Sequence, residues 1–301
     1  PMLRKRALER GYQPVAYLYA LPWIIGFLVF QLYPFIASFV YSLTNYAILK
    51  PMKFVGLSNY VRMFTADRLF WPSLAATFKY VAIAVPGKLI FALFIAMLLN
   101  MKLKGINAFR TAYYLPSILG GNVAISILWK FLFSRTGTVN ALIGMLGIPP
   151  VDWLGSPDLA LGTMGLLVVW QFGSSMVLFL AGLKNIPGEL YEAARVDGAG
   201  RLKCFVKITL PMLSPTILFN FIMQMINAFK EFNAPYLITK GGPLKSTYLY
   251  GMMLYENAFT HQKMGYASAQ SWVLFLIIML ITALTFKFSP YFTFYEDGGE
   301  F

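Results

Sequence analysis

The stretch that decides how this chain folds runs from Glu189 to Pro215 and reads ELYEAARVDGAGRLKCFVKITLPMLSP. It is rich in charged residues and glycine, and it lies between two long apolar runs. A charged side chain inside the hydrocarbon of a bilayer is costly. This stretch, which we call the island, must therefore form a loop on one face of a membrane, and the apolar runs on either side are its membrane-spanning flanks.

The composition of the whole chain is typical of an integral membrane protein. Of its 301 residues, 58% are hydrophobic and 12% are charged, whereas soluble domains carry about 25% charged residues. Cys204 is the only cysteine, which excludes an intrachain disulfide. His261 is the only histidine, which argues against a histidine-based triad or metal site. The net charge of +13 fits basic cytoplasmic loops and does not require nucleic acid as a partner. We expect neither an enzyme nor a bound cofactor.

A nucleotide site of the P-loop type is also excluded. Such a site needs the pattern G-x-x-x-x-G-K-[ST], whose backbone amides hold the phosphates. Gly87 and Lys88 supply a Gly-Lys pair, but position 82 is alanine. An energy-driven process in this protein would have to take its ATPase from another subunit.

Six apolar runs are long enough to cross a membrane, since a spanning helix needs about 20 residues. We expect an all-α polytopic protein with helices at about residues 15–40, 74–99, 108–133, 159–183, 212–238 and 266–288. They form a membrane domain of residues 15–290, between a segment of residues 1–14 and a tail of residues 291–301. Lys and Arg are more frequent on the face that carries loop 184–211. This bias predicts that the island and both termini are cytoplasmic.

Within the island, the sequence predicts two short helices around a break. Pro187 suits the first turn of a helix, and Glu192 is favourable near its positive end. Asp197-Gly198 ends this helix because glycine adopts the left-handed cap. A second amphipathic helix would end at Pro211, where the fifth membrane helix begins. From physics alone, the island is either a docking surface for another protein or an amphipathic linker on the bilayer.

A polar stripe lies on the fifth apolar run. Its members are 4, 3 and 4 residues apart, which places them on one face of a helix: Asn220, Gln224, Asn227 and Glu231. The fourth run offers partners at compatible spacing: Trp170, Gln171 and Ser174. Polar groups at this depth must face protein or water. The stripe therefore indicates either a hydrated sugar pathway or polar contacts between helices, worth about 0.6 kcal/mol each.

Two lysines complete the set of pathway candidates. Lys88 lies near the middle of the second apolar run, where its side chain is too far from either end to reach the surface. It lines the pathway, pairs with Glu231 or binds a carbonyl at a helix end. Lys230 precedes Glu231 and points to another side of the helix. The two lysines suggest an anionic sugar, and a structural ion pair is the competing interpretation.

The island resembles the EAA motif of permease subunits in ATP-binding-cassette (ABC) importers. The matching residues are Glu192-Ala193-Ala194, Asp197-Gly198-Ala199, Phe205, Ile208, Leu210-Pro211 and Pro215. Other segments resemble the carbohydrate-uptake, maltose-type branch of this family: residues 54–60 (FVGLSNY), 186–187 (IP), 239–243 (TKGGP) and 265–269 (GYASA). The resemblance implies a type I ABC importer permease whose EAA helix docks on the ATPase through Glu192, Ala193, Ala194, Asp197, Gly198 and Ala199.

The resemblance also implies partners and a mechanism. The partners would be a second homologous permease subunit, two ATP-binding subunits and an extracytoplasmic sugar-binding protein, assembled in the bacterial inner membrane. ATP binding would close the ATPases, and the island would move with them and switch the pathway by alternating access. The alternative is a secondary transporter, for which Glu231 would be the coupling carboxylate. An intramembrane enzyme is disfavoured, because the chain has one histidine and no paired carboxylates.

Overall fold

A computed structural model of the chain describes residues 17–48, 50–101, 105–119 and 123–294. The expected segment 1–14 and residues 295–301 of the expected tail lie outside the described residues. Within these ranges the structure is helical, and its extended pairing consists of two isolated bridges, Thr44 with Phe54 and Ala47 with Lys50. The prediction of an all-α protein is confirmed.

The helices follow one another as α1 (Tyr17–Ser42), α2 (Ser58–Thr65), α3 (Phe70–Leu99), α4 (Ile106–Leu119), α5 (Val123–Leu132), α6 (Thr138–Gly144), α7 (Pro157–Trp170), α8 (Gly173–Asn185), α9 (Gly188–Val196), α10 (Arg201–Phe229), α11 (Tyr250–Tyr255) and α12 (Met264–Phe288). By length and composition α1, α3, α10 and α12 are each able to span a membrane. Two bent pairs, α4 with α5 and α7 with α8, each have the apolar length of one further span. The described residues thus provide four to six spans.

The chain divides into two compact units, and the first combines the described residues up to Ala66 with Glu256–Val273. Here the Trp272 Nε1 donates a hydrogen bond to the Ser38 Oγ of α1 at 3.1 Å. The Asn59 side chain on α2 donates to the carbonyl oxygens of Ser42 and Thr44, both at 2.8 Å. A Cβ on Gly265 would collide with the Thr44 carbonyl oxygen, which explains why glycine opens the GYASA segment.

The second unit, residues 67–255 with 274–294, is built around α3. Small residues bring its helices close together, as is common between membrane helices. A Cβ on Gly165 of α7 would lie 3.3 Å from the Ile83 Cγ2 of α3, and a Cβ on Gly87 would lie 3.0 Å from the Val169 Cγ2 of α7. Larger residues at these glycines would push the two helices apart.

Ring contacts give the directions of the helices in this unit. Phe172, at the start of α8, lies 4.8 Å from Phe91 of α3. Together with the Gly165 and Gly87 approaches, this contact shows that α7 and α8 run parallel to α3. Phe229, at the end of α10, lies 5.1 Å from Phe78 near the start of α3, so α10 runs antiparallel to α3. The island, which follows α8, therefore lies at the Leu99 end of α3.

Two expected membrane helices are each divided. The expected helix 159–183 consists of α7 and α8, which meet at Gln171–Phe172 with a bend of 50°. Gly173 follows the bend, and a Cβ there would lie 2.8 Å from the Tyr113 carbonyl oxygen of α4. The expected helix 108–133 consists of α4 and α5, with a bend of 101°. The sequence predicts an interruption of the helix 108–133 at Pro116 and Gly120-Gly121, and residues 120–122 lie outside the described residues. The bend at Gln171–Phe172 has no such signal, because hydropathy responds to apolar length and not to direction.

The expected fifth helix, 212–238, has different limits in the structure. α10 begins at Arg201 and ends at Phe229, and a separate wide turn follows at Pro235–Thr239. The prediction that Pro211 ends a separate helix is wrong, because α10 passes through it. The prediction that Glu231 shares a helix face with the rest of the polar stripe is also wrong, because Glu231 lies beyond the helix end.

α10 accommodates its prolines by two local devices. Directly before Pro211, a π-helical turn at Phe205–Thr209 lets the Leu210 amide donate to the Phe205 carbonyl oxygen. This widening reduces the clash between a proline ring and the carbonyl four residues earlier. Pro215 cannot donate to the Pro211 carbonyl oxygen, and the Ser214 Oγ donates to it instead, at 2.6 Å. The same arrangement occurs in α1, where a π-helical turn at Leu28–Leu32 precedes the helix segment that contains a proline at its second position.

Candidate functional site

The first half of the island is the short helix α9, which ends in a well-formed glycine cap. Gly198 has φ +74°, and its amide donates to the Arg195 carbonyl oxygen at 3.0 Å. The Ala199 amide donates to the Ala194 carbonyl oxygen at 2.8 Å. These two bonds form the Schellman motif, which satisfies carbonyls that a helix end leaves without partners. The helix break predicted at Asp197-Gly198 is present, and it turns the chain from α9 into α10.

α9 is attached to α10 and to the helix core by side chains that face inward. The hydroxyl groups of Tyr191 and Thr209 are 2.9 Å apart and share a hydrogen bond, and Thr209 is buried. Tyr191 also packs against the main apolar cluster of the second unit, to which the buried Ile186 belongs. The Cys204 Sγ lies 3.8 Å from the Ala199 carbonyl oxygen. α9 is thus fixed to the start of α10 and is not a free linker.

The other face of the island is open. The residues expected to contact an ATPase include four that are exposed, Glu192, Ala193, Asp197 and Gly198, and two that are half-buried, Ala194 and Ala199. Two apolar side chains of the island are also exposed: Val196 by 89% and Leu202 by 76%. Val196 was missed by sequence reasoning, although an apolar residue in the last turn of a polar helix is a usable signal. Exposed small and apolar residues together form a surface suited to another protein.

The continuity of α10 gives the island a mechanical connection to the membrane interior. α10 has 29 residues, which corresponds to about 43 Å at 1.5 Å per residue. It starts in the island, and its far end lies beside α3 near Phe78. A Cβ on Gly182 of α8 would lie 2.8 Å from the Leu213 Cδ1 of α10, so α8 and α10 are also in close contact. One continuous helix therefore joins the island to the polar cluster.

The second candidate site is a polar cluster at the far end of α10. Gln171, at the bend between α7 and α8, and Glu231, just beyond α10, line one small cavity of about 50 Å³ together with Ser126 and Asn233. The Glu231 Oε1 accepts a hydrogen bond from the Ala234 amide at 3.0 Å. Such a volume holds one or two water molecules and is too small for a sugar ring. Ser126 and Asn233 were not identified from the sequence, because they belong to no regular spacing.

The other members of the stripe differ in exposure. Asn220 is 0% exposed, and neither its amide nitrogen nor its oxygen has a hydrogen-bond partner. Gln224 is half-buried, and Asn227 and Lys230 are exposed. The stripe therefore passes from the protein interior near the middle of α10 to its surface at the end. Only its last part is accessible to a solute.

The pathway candidates on α3, α7 and α8 also differ in exposure and in their contacts. Lys88 is 7% exposed and forms no ion pair with Glu231 in the described structure. Leu89 and Leu218 line one cavity, so Lys88 lies at a height similar to that of Asn220. The half-buried Trp170 lies 6.1 Å from Trp129. Ser174 is exposed, and its amide donates to the Ser117 Oγ at 3.0 Å.

No group of three or more His, Cys, Asp or Glu side chains in the described part of the chain is arranged to hold a metal ion.

Comparisons with known proteins show the family to which the chain belongs. A family model described as binding-protein-dependent transport system inner membrane component matches residues 77–293. The probable ABC transporter permease protein YesP of Bacillus subtilis is 50% identical over 302 residues, covering 99% of this chain and 97% of the relative. The sulfoquinovosyl glycerol transport system permease protein SmoG of Agrobacterium fabrum is 36% identical over 286 residues, covering 93% and 91%.

A solved structure shows the same fold. It is the crystal structure of a bacterial alginate ABC transporter in complex with an alginate pentasaccharide-bound periplasmic protein, and it matches with a TM-score of 0.79 at 22% identity, covering 94% of this chain and 96% of that one. The family model matches one continuous range, which includes the island, α10 and the whole polar cluster. The chain therefore belongs to the family of binding-protein-dependent transport system inner membrane components, the permease subunits of ABC transporters.

Proposed function

We propose that this chain is the membrane-spanning subunit of an ATP-driven importer of sugars or oligosaccharides. The observation that carries the proposal is the island. Its capped and exposed helix α9 is joined to α10, a helix of 29 residues that ends beside the polar cluster. A relative named for the transport of sulfoquinovosyl glycerol supports the sugar class. The matched proteins are ABC permeases, and they give no support to the alternative of a secondary transporter.

In this function α9 is the coupling helix and docks on a cytoplasmic ATP-binding subunit. Glu192 would face the partner from an exposed position on α9, and the small side chains of Ala193 and Ala194 would let its surface approach closely. The Tyr191–Thr209 hydrogen bond would transmit the displacement to α10. The complete importer would contain this chain, a second homologous permease, two ATP-binding subunits and an extracytoplasmic sugar-binding protein, with the island and both termini in the cytoplasm.

The sugar pathway would pass the polar cluster. Two helix breaks meet there, the bend at Gln171–Phe172 and the end of α10 at Phe229. Irregular backbone at membrane depth is tolerated where it is covered by protein or lines a water-filled space. Gln171 and Glu231 already share a cavity, and a movement of α10 would widen it. Asn227 would offer further hydrogen bonds from the surface, whereas Asn220 and Lys88 lie inside the helix packing and would act through it.

Reconstitution tests the proposal. The chain is placed in proteoliposomes with its partner permease, with or without the ATP-binding subunits, and uptake of labelled oligosaccharides delivered by the binding protein is measured. We expect uptake only with both ATP and the ATP-binding subunits. Glu192→Lys should abolish uptake, because it reverses the charge of an exposed residue at the docking surface.

The matched control is Lys240→Glu, which reverses an exposed charge in a loop far from α9. It should leave uptake within about twofold of the unmodified chain, the scale of an exposed charge. Uptake that persists without ATP-binding subunits would contradict the importer. Equal loss in both variants would contradict the role of α9.

A further inference from the structure

A groove of about 570 Å³ lies between the starts of α3 and α7 and the loop before α11. Its polar lining consists of Lys79, Asp158, Lys245 and Ser246, and Ala75 and Ile83 contribute to its apolar wall. The volume lies in the range of about 300–1,000 Å³ that is usual for small-molecule sites. The groove shares no residue with the cavity at Gln171 and Glu231.

The groove lies at the end of the second unit opposite the island. α7 and α8 run parallel to α3, and the island follows the end of α8, whereas the groove is lined by the first turns of α7 and by Pro72 to Ile83 of α3. With the island in the cytoplasm, as proposed above, the groove opens on the outer face. That is the face from which a binding protein would deliver its sugar.

Lys79 is an exposed cation on a helix that spans the membrane. A lysine at this depth is costly against lipid, so such residues face water or another protein group. Lys79 and Lys88 are nine residues apart and therefore lie on opposite sides of α3, at 100° per residue. The groove is thus separate from the buried interior that contains Lys88.

The loop holds Lys245 in a fixed position. Leu244 and Lys245 have φ values of +49° and +64°, a left-handed conformation that residues other than glycine rarely adopt and that is often retained at functional sites. The Lys245 Nζ lies 4.1 Å from the ring centroid of Tyr248, a favourable cation–π distance. The Ser246 amide donates to the Pro243 carbonyl oxygen at 2.8 Å. Lys245 is therefore positioned before any ligand arrives.

Ser246 adds an independent sign of a ligand. Its Oγ is buried and has no hydrogen-bond partner, although it lines the groove. Buried polar atoms are nearly always paired, and an exception calls for an explanation. A ligand hydroxyl or carboxylate in the groove would provide the missing partner.

The charges of the lining indicate the kind of ligand. Two ammonium groups suit a carboxylate or sulfonate, and the carboxylate of Asp158 accepts hydrogen bonds from hydroxyl groups. An acidic sugar offers both an anionic group and neighbouring hydroxyls. A free phosphate satisfies the lysines but offers Asp158 no sugar hydroxyl groups, so an acidic sugar uses more of the lining.

We propose that this groove is the outer receiving site for an acidic sugar, whose anionic group binds Lys79 and Lys245 and whose hydroxyls bind Asp158 and Ser246. The proposal rests on the sugar-import function stated above and specifies its substrate class. It predicts that the importer prefers charged over neutral oligosaccharides of equal length.

The test uses the complete importer in phosphatidylcholine proteoliposomes with a mixed pool of galacturonate oligosaccharides and maltooligosaccharides of equal length. Imported species are identified by mass spectrometry, and KM and kcat are then measured for the best acidic one. Lys79→Gln and Lys245→Gln should each raise KM about tenfold, the loss of one charge-assisted hydrogen bond, and leave kcat within twofold. Lys79→Arg should restore most of the affinity, and Lys240→Gln, a control outside the groove lining, should change nothing.

Import of the neutral pool alone would overturn the acidic-sugar site while the sugar-import function stands. Import of neither pool would overturn both. If the two glutamine variants change only the effect of added phosphatidylglycerol on uptake, the groove binds an anionic lipid headgroup and the proposal is wrong. Unchanged KM in both variants would exclude the lysines from recognition.

Discussion

At Gly198 the backbone has φ +74°, and a Cβ built there would meet nothing within 4 Å. Gly198→Ala therefore costs only the left-handed backbone conformation, about 1–2 kcal/mol, and creates no clash. That energy acts on the cap of α9 and not on the membrane core. We expect the thermal stability of the purified chain in detergent to be unchanged and ATP-dependent uptake to fall several-fold. Both are measured on the same preparation.

Gly198→Asn is the matched comparison, because asparagine adopts the left-handed conformation more readily than alanine. It should keep more of the uptake than Gly198→Ala, although its side chain is larger. If the asparagine variant loses more uptake than the alanine variant, the size of the side chain at this position matters to the partner, and the backbone explanation is wrong.

At the scale of elements, α9 and α10 are linked by the hydrogen bond between Tyr191 and Thr209. Tyr191→Phe removes one hydroxyl and keeps the ring that packs against the core. The bond contributes about 1 kcal/mol, which is small against the stability of the protein but acts at the joint of the coupling loop. We expect ATP hydrolysis by the assembled importer to continue while fewer sugars are imported per ATP.

A double-mutant cycle with Thr209→Val separates the bond from other effects of either change. If transport per ATP falls equally in the two single variants and no further in the double variant, the hydroxyl pair transmits the motion. Additive losses would mean that the two residues act independently.

Sequence reasoning found the helical fold and the island, and it failed at specific points. Apolar length indicates a span, so hydropathy located most of the apolar helices but not the bend at Gln171–Phe172, which depends on the contact of Gly173 with α4. Proline was read as a helix end at Pro211, whereas the π-helical turn before it and the Ser214 hydroxyl allow α10 to continue. The proximity of Gln171 to Glu231 depends on helix packing and has no local signal in the sequence.

For the whole molecule, we predict the orientation in the membrane, with the island on the cytoplasmic face. Single-cysteine labelling can test this orientation. Cys204 is the only cysteine, so a Cys204→Ala background is free of thiols. Val196 in the island and Leu244 near the groove are 89% and 90% exposed, and they lie at opposite ends of the second unit. A single cysteine is placed at one or the other position. A membrane-impermeant maleimide should label Leu244→Cys in spheroplasts. It should label Val196→Cys only in inside-out vesicles. Adding the ATP-binding subunits should then protect Val196→Cys and leave Leu244→Cys reactive, because docking on α9 covers the first position alone. Labelling of Val196→Cys from the outside would reverse the orientation and remove the island from the reach of a cytoplasmic ATPase.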